Sequence, residues 1–448
     1  MVFSPNKSKR MKRIVGTLLI ALIALNSFSQ GNLLVRKGDS QLAIHHTYLN
    51  QAFELTKKCV GFSAPVSGRA YAYFAVGMYE TYAAQGMTRS LEGQLNGLAL
   101  PEPPEQEVNW DIVVNHVDYR LMSYLYRNMP PSERTALNKV RSEIISETEK
   151  NVKRKIKKRS KQFAFELSNA VISWSKLDGG DRGYLENFPE NYVTPECPSC
   201  WVKTFPGYLP ALTPFWGTNR PMVVSSPEAY MDMEIFEYSE DTNSFMYKQA
   251  MMVYENGKST DNTFEIIGEY WNDAAGYSGT PAGHFFQLAQ DLATQQQLTL
   301  EESMKLYAAL GIAINDAFIG SFGLKYKFNF IRPITYIHRH IDGQFNSRLA
   351  SPPFPEFPSG HSFQSGAATE VMKAFFGDDI SVTDSTNAWR TDIDGTPRTF
   401  KSFTELSEEV SISRFYGGIH FLETLNRSLE YGRKIGRHVV GEIKFEHD

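Results

Sequence analysis

Between Lys325 and His420, three short runs carry side chains whose chemistry belongs together. The first, Lys325-Tyr-Lys-Phe-Asn-Phe-Ile-Arg332-Pro333, sets a lysine and an arginine seven positions apart. Pro358-Ser359-Gly360-His361 follows, and Ser413-Arg414 through His420 completes the set. A four-oxygen anion carrying two or more negative charges is costly to bury unless cations surround it. Lys325, Arg332 and Arg414 supply three. The guanidinium forks match oxyanion edges, and the lysine acts as a point charge. Ser359 adds a hydroxyl donor, and Gly360 lets the backbone come close. His361 and His420 can move protons, attack as nucleophiles or ligate through a neutral ring nitrogen. Taken singly, each basic residue reads as a surface charge and each histidine as a structural one. Together they describe an anion cradle.

The stretch that holds Ser359 explains how such a cradle is positioned. Ser351–Phe363 reads SPPFPEFPSGHSF, and prolines both lack an N–H and restrict the preceding residue, so the approach is not helical. After Gly360 the run FQSGAATEVMKAFF has helical apolar spacing. Pro358–His361 therefore stands at a loop-to-helix junction, where free N–H groups and the positive end of the helix dipole favour an oxyanion.

These runs resemble the three blocks of the superfamily that joins type 2 phosphatidic acid phosphatases and vanadium-dependent haloperoxidases. The resemblance is strongest over residues 325–436. Weaker echoes at Trp201–Pro221 and Glu269–Phe286 are similar to the soluble bacterial haloperoxidase-like branch. It implies an all-α, multi-helix bundle with the site between antiparallel helices and the loops at their ends. It also implies vanadate as cofactor, held by Lys325, Arg332, Ser359, Gly360 and Arg414, with His420 as axial metal ligand and His361 as acid–base residue. Hydrogen peroxide and a halide would be the substrates and hypohalous acid the product. The alternative within the superfamily is a secreted acid phosphatase acting on a phosphoester, with His420 the nucleophile and His361 the general acid. A third reading is a non-catalytic, oxyanion-binding helical protein.

Several positions depart from the family pattern or extend it. Phosphatases of this group usually have Asp four residues after the nucleophilic histidine, where this chain has Thr424. Glu423 is one residue early, which on a helix turns it about 100° away. That counts mildly against phosphatase chemistry. Phe354 occupies a position where chloro- and iodoperoxidases carry Phe, and Phe322 one where the family often has Trp. With His284, from Pro281-Ala-Gly-His284, they are candidates for a halide pocket, although aromatics and a lone histidine equally suit a core. The family also implies a carboxylate that holds one of the arginines, for which Asp273 and Asp316 are both candidates.

The rest of the chain sets the frame. Its 448 residues are 42% apolar and 21% charged, which suits a globular protein. Lys7, Lys9, Arg10, Lys12 and Arg13 precede an apolar run, Ile14–Leu25, and Ser27-Phe28-Ser29. That order reads as a signal peptide over residues 1–29 and an exported, periplasmic or secreted location. The apolar run is short for a spanning helix of about 20 residues. Removing residues 1–29 takes away five basic and no acidic groups, moving the formal charge from −4 to −9. Such an acidic chain is a poor candidate for general nucleic-acid binding. No later stretch reaches 18 uninterrupted apolar residues, so an integral membrane protein is not expected. Cys197-Pro-Ser-Cys200 lacks a second pair at zinc spacing, leaving a structural disulfide or two free thiols.

Periodicity predicts helices over 41–85 with a break near 61–67, over 108–127, and a long one from Pro131 to about Leu177. The run Lys150–Lys161, with eight basic residues, reads as a solvated helix face, or else a surface for an acidic partner. Gly179–Arg220 is irregular and rich in Pro, Gly and aromatics, as functional loops are. Further helices are expected over 227–254, 261–272, 283–297 and 300–320, the last with a Thr299/Glu302 capping box. Residues 30–448 read as a single α-helical domain.

Overall fold

The computed structural model describes residues 40–224 and 232–447; the segment read as a signal peptide lies outside them. Five helices form the first part of the chain: α1 (Ser40–Lys58), α2 (Ala64–Ala83), α3 (Trp110–Leu125), α4 (Pro131–Thr148) and α5 (Arg154–Ser175). The irregular 179–220 segment carries only two single-turn 3-10 helices. Then come α6 (Phe245–Lys258), α7 (Asn262–Tyr270), α8 (Thr280–Gln295), α9 (Leu300–Phe328), α10 (Pro333–His340), α11 (Gly360–Phe376), α12 (Phe403–Tyr416) and α13 (Leu422–Glu442). A two-stranded antiparallel ribbon, β1 (Val382–Asp384) and β2 (Arg398–Phe400), is inserted between α11 and α12. The architecture is all-α.

Helix α9 is the axis. It packs against α2, α11 and α13, and its most apolar 18-residue window is 94% buried. Among the described residues it is the one helix long and apolar enough to cross a membrane, and here that hydrophobicity faces protein. One hydrophobic cluster runs continuously from Ile44 to Ile443. Helices α11 and α13 cross very closely because glycines meet backbone there. A Cβ on Gly432 would lie 2.1 Å from the Phe363 carbonyl oxygen, and one on Gly436 would lie 2.5 Å from that of Ala367. Any side chain at those positions would push apart the two helices that flank the site.

Three expected boundaries move. The long helix from Pro131 divides into α4 and α5, because Asn151 turns left-handed (φ 62°) and the chain folds back far enough for Lys161 to reach Glu149 at 2.7 Å. The helix expected over 227–254 begins only at Phe245, where Ser244 caps it by accepting from the Tyr247 N–H. Residues 232–244 are not helical, and 225–231 lie outside the described residues. Helix α9 runs past the expected end at Gly320 to Phe328, and stops where Asn329 adopts a left-handed conformation.

Cys197 and Cys200 form a disulfide. Its loop lies against the turn between α9 and α10. Cys200 bridges to Phe330, Ser199 O accepts from the Ile331 N–H at 2.8 Å, and Trp201 N–H donates to Asn329 O at 2.7 Å.

Candidate active site

Every residue of the expected cradle sits at a helix end. Lys325 is in the last turn of α9, and Arg332 is the N-cap of α10. Ser359 caps α11, Arg414 lies in the last turn of α12, and His420 lies in the turn before α13. Helix ends carry the backbone groups left without intrahelical partners, so a site assembled there can mix side-chain and backbone donors. Lys325, Arg332 and Ser359 are fully buried, and Arg414 and His420 nearly so.

Short contacts hold the cations in place. Lys325 Nζ donates to the carbonyls of Pro355 (2.9 Å), Glu356 (3.2 Å) and Pro358. Arg332 donates through Nε to Phe354 O (2.9 Å) and through Nη1 to Ile419 O (2.7 Å) and His420 Nε2 (3.2 Å). Arg414 Nη1 donates to Trp271 O at 2.8 Å, with Asn272 Oδ1 3.5 Å from Nη2. The lysine is therefore tied to the proline-rich loop, one arginine to the His420 turn, and the other to the end of α7.

His420 has a carboxylate behind it. Its Nδ1 lies 2.8 Å from Glu356 Oε1, which also accepts from the Phe421 N–H at 3.0 Å. The Thr424 hydroxyl donates to Glu356 Oε2 at 2.9 Å. With Nδ1–H committed to Glu356, Nε2 is left with a lone pair toward Arg332 and the cavity. Thr424 thus does not mark a missing carboxylate. The carboxylate comes from the proline-rich loop, and the sequence argument against phosphatase chemistry falls.

A cavity of about 60 Å³ opens in front of these groups, enough for a few water-sized spheres. Gly360, His361, Arg414 and His420 line its polar side, and Phe318, Phe322 and Phe354 its apolar side. Phe354 lies 4.7 Å from Lys325 Nζ and 5.0 Å from Arg332 Cζ, ring centroid to cation, and its ring meets Phe322 edge-on at 5.4 Å. The two phenylalanines are cavity wall. His284 is not. It is buried behind the site between Asp273 (2.8 Å) and Asp384 (2.7 Å), and its ring stacks on Trp271 at 4.7 Å. Of the two candidate carboxylates, Asp273 acts on Arg414 through its charge. Asp316 instead accepts the N–H groups of Met222, Val223 and Val224 at 2.7, 2.9 and 3.1 Å, and so shapes a loop.

Electrostatically the cavity is cationic beyond what the surrounding carboxylates balance. Burial, then Arg332, holds Lys325 well below the usual lysine range. Burial lowers Arg332 to about 9, with Arg414 adding to it and Glu356 opposing, and lowers Arg414 to about 10. His420 is held well below its ordinary value by burial, then by Arg332, Lys325 and Arg414; His361 by burial, then Arg414. Both imidazoles are neutral near pH 7. Burial raises Glu356 to about 7 against the pull of Arg332. Two buried donor nitrogens, Arg332 Nη2 and Arg414 Nε, and the ring nitrogen His361 Nε2 have no hydrogen-bond partner among the described residues. Orphaned buried donors are rare, and here they cluster where positive charge is in excess. A tetrahedral oxyanion fits that deficit.

Glu356 was not singled out by sequence reasoning, nor were Trp271 and Asn272, whose backbone and side-chain oxygens hold Arg414. A lone carboxylate inside SPPFPEFPSGH was the available signal.

The chain's likenesses agree with this geometry. Residues 305–446 match the family described as the VCPO second helical-bundle domain. No curated protein matches the chain by sequence. Among solved structures, the first bacterial vanadium-dependent iodoperoxidase is 30% identical with a TM-score of 0.79, over 91% of this chain and 97% of that one. A bacterial vanadium-dependent chloroperoxidase in its holo form is 14% identical with a TM-score of 0.66, over 86% of this chain and 93% of that one. Its apo form gives 0.60 at 14% identity, over 85% and 94%. The chloroperoxidase shares the fold; the iodoperoxidase shares fold and sequence over nearly its whole length. This chain belongs to the vanadium haloperoxidase superfamily.

Proposed function

We propose that this protein is an exported vanadium-dependent haloperoxidase, which uses hydrogen peroxide to oxidise a halide to hypohalous acid. In this reading Lys325, Arg332, Ser359, Gly360 and Arg414 hold vanadate, and His420 ligates it through Nε2. Bound vanadate would supply Lewis acidity that makes peroxide oxygen electrophilic toward halide. The protein's own groups do the rest. Glu356 fixes the His420 ring so that Nε2 faces the cavity. His361, neutral and with Nε2 unpaired, takes a proton from incoming peroxide and returns it to the leaving oxygen. Phe318, Phe322 and Phe354 exclude water from the oxidising site. Export rests on the basic-then-apolar order of residues 1–29.

The observation that carries this reading is the shape of the cavity: about 60 Å³ walled by three phenylalanines. Peroxide and a halide are small enough for it, whereas a phosphoester must also seat its organic group. The acid phosphatase reading keeps one point in its favour, since the His420–Glu356 pair would equally orient a nucleophilic histidine. Turnover of iodide, bromide and 4-nitrophenyl phosphate, each with and without added vanadate, separates the two. Iodide is the first halide to try, because the 30%-identical relative is named an iodoperoxidase. Vanadate-dependent iodide oxidation is expected. Phosphoester hydrolysis that vanadate inhibits, with no halide oxidation, would reverse the assignment.

A further inference from the structure

A second cavity, of about 330 Å³, lies in the 179–220 segment, a size at the lower end of small-molecule sites. Its walls are flat: the rings of Phe215 and Trp216, Pro189, and the bare backbone of Gly179, Gly180 and Gly183. The glycines are required. A Cβ on Gly183 would lie 2.6 Å from the Trp216 ring, and one on Gly180 would lie 2.9 Å from Asn219 Nδ2. Three lining side chains are more than nine-tenths buried: Thr213 (3% exposed), Trp216 (5%) and Asn219 (6%). Their Oγ1, Nε1 and Nδ2 atoms have no hydrogen-bond partner among the described residues. Thr213 is also held at φ 47°, a strained conformation for a β-branched residue.

The rim is unusual as well. Eight of the fifteen large hydrophobic side chains exposed among the described residues fall between Leu177 and Phe215. Leu177, Leu185, Phe188 and Phe215 lie on this cavity's lining or next to it in sequence. Exposed apolar surface concentrated around a cavity marks a binding site more often than a bare surface. Lys176 and Arg182 stand at the edge, against Asp181 and Glu186; Asp181 is already taken by Arg127 at 3.1 Å. The edge is thus mildly cationic.

We propose that this cavity binds a planar, oxygen-bearing aromatic molecule of the phenol or aromatic-carboxylate type. The flat walls suit a ring, and Lys176 and Arg182 suit a negative charge on its oxygen substituent. The role of such a ligand rests on the haloperoxidase reading: it is the organic acceptor. Hypohalous acid would deliver its halogen to a ring carbon, and the displaced ring proton would leave with the oxygen as water. The two cavities are built from the same pieces. Leu212 lines the small one and Thr213 the large one; Pro65 lines the small one, and Val66 stands 3.3 Å from the Cβ position of Gly183 in the large one.

The test is calorimetric titration of 4-hydroxybenzoate into the wild-type protein, with cyclohexanecarboxylate as the non-planar control. The same titration is made with Thr218→Trp, which plugs the mouth from an exposed position, and Trp216→Phe, which removes part of the flat wall together with its Nε1–H. One-to-one binding of the phenol is expected, weakened about tenfold or more by each change, with vanadate-dependent iodide oxidation by Thr218→Trp unchanged. Absence of saturable binding to the wild type, or equal binding by all three proteins or by both ligands, overturns the proposal. Binding without halide oxidation would leave the site standing and overturn the acceptor role together with the haloperoxidase reading.

Discussion

Two groups of buried charge lie on either side of the Trp271–Asp273 segment, and they are finished differently. On one side, His284 is enclosed between Asp273 and Asp384, and the Thr386 hydroxyl lies 2.6 Å from Nε2. Burial alone would lower this imidazole, but the two carboxylates outweigh it and raise it to about 10. On the other side, three cations meet two neutral imidazoles, and burial pushes every one of the five toward its uncharged form; neighbouring cations add to it for all but Arg414, where Asp273 opposes it. Equal burial therefore produces opposite shifts. Where the protein supplies the counter-charge, ionisation is reinforced and the cluster is structural. Where it does not, the shortfall marks the place of a ligand.

The strongest way to break this contrast is to remove one cation from the unfinished side. Arg332→Met should abolish vanadate- or phosphate-induced thermal stabilisation, which in the wild type should reach about 2.7 kcal/mol at a hundredfold excess over Kd. It should also cut the proposed halide oxidation by roughly a hundred- to a thousandfold, as loss of a group stabilising charge in the reaction does. Its melting temperature without anion should fall less than that of the His284 variant below. Anion stabilisation that persists in Arg332→Met would remove this residue from the site.

The finished side should fail in stability first. His284→Ala strips a buried charge from between two carboxylates, and breaking such a pair typically costs about 3–5 kcal/mol. Denaturant unfolding measures this, and added anion should still raise the melting temperature of whatever folds. The two sides should also titrate from opposite ends. His284 binds its proton more tightly folded than unfolded, so its contribution is complete below about pH 6.5 and lost as pH rises toward about 10. His361 and His420 are depressed in the fold, so theirs is complete above pH 6.5 and lost as pH falls below it. In His284→Gln the alkaline decline in stability should flatten while the acid decline stays. An unchanged alkaline limb would show that the triad does not set it.

How far these two sides could be read beforehand follows from what each depends on. The cationic side was legible because an oxyanion demands particular residue types near helix ends, and Pro358–His361 displays both the types and the loop-to-helix change. Residues that complete those groups were not. Glu356 pairs with His420 across 64 positions, whereas the family pattern puts a carboxylate four residues downstream, where this chain has Thr424. His284 looked like pocket lining because its partner Asp384, 100 positions on, sits on a short ribbon that has no strong strand pattern. The break between α4 and α5 was hidden for a related reason: charge periodicity continues straight through Asn151, and only its left-handed backbone ends the helix.

Glu356 belongs to neither side wholly, which makes it the finest test of the contrast. It is a single buried carboxylate facing an excess of cations, yet burial still raises it to about 7. Glu356→Gln keeps the side chain's shape. Its carbonyl oxygen can accept from the Phe421 N–H and from His420 Nδ1–H as Oε1 does, and its amide can donate to Thr424 Oγ1, which now donates to Oε2. Folding should therefore change little, because the Phe421 N–H and the His420 Nδ1–H keep their acceptor. What is lost is the charge that, in the proposed role, would make His420 a better ligand, a type of change that ordinarily costs about 10–100-fold in affinity or activity. Vanadate affinity by calorimetry should fall in that range while the free energy of urea unfolding stays within about 1 kcal/mol of the wild type. A large loss of stability with affinity intact would mean that Glu356 works as His284's carboxylates do, completing a buried charge for the sake of the fold.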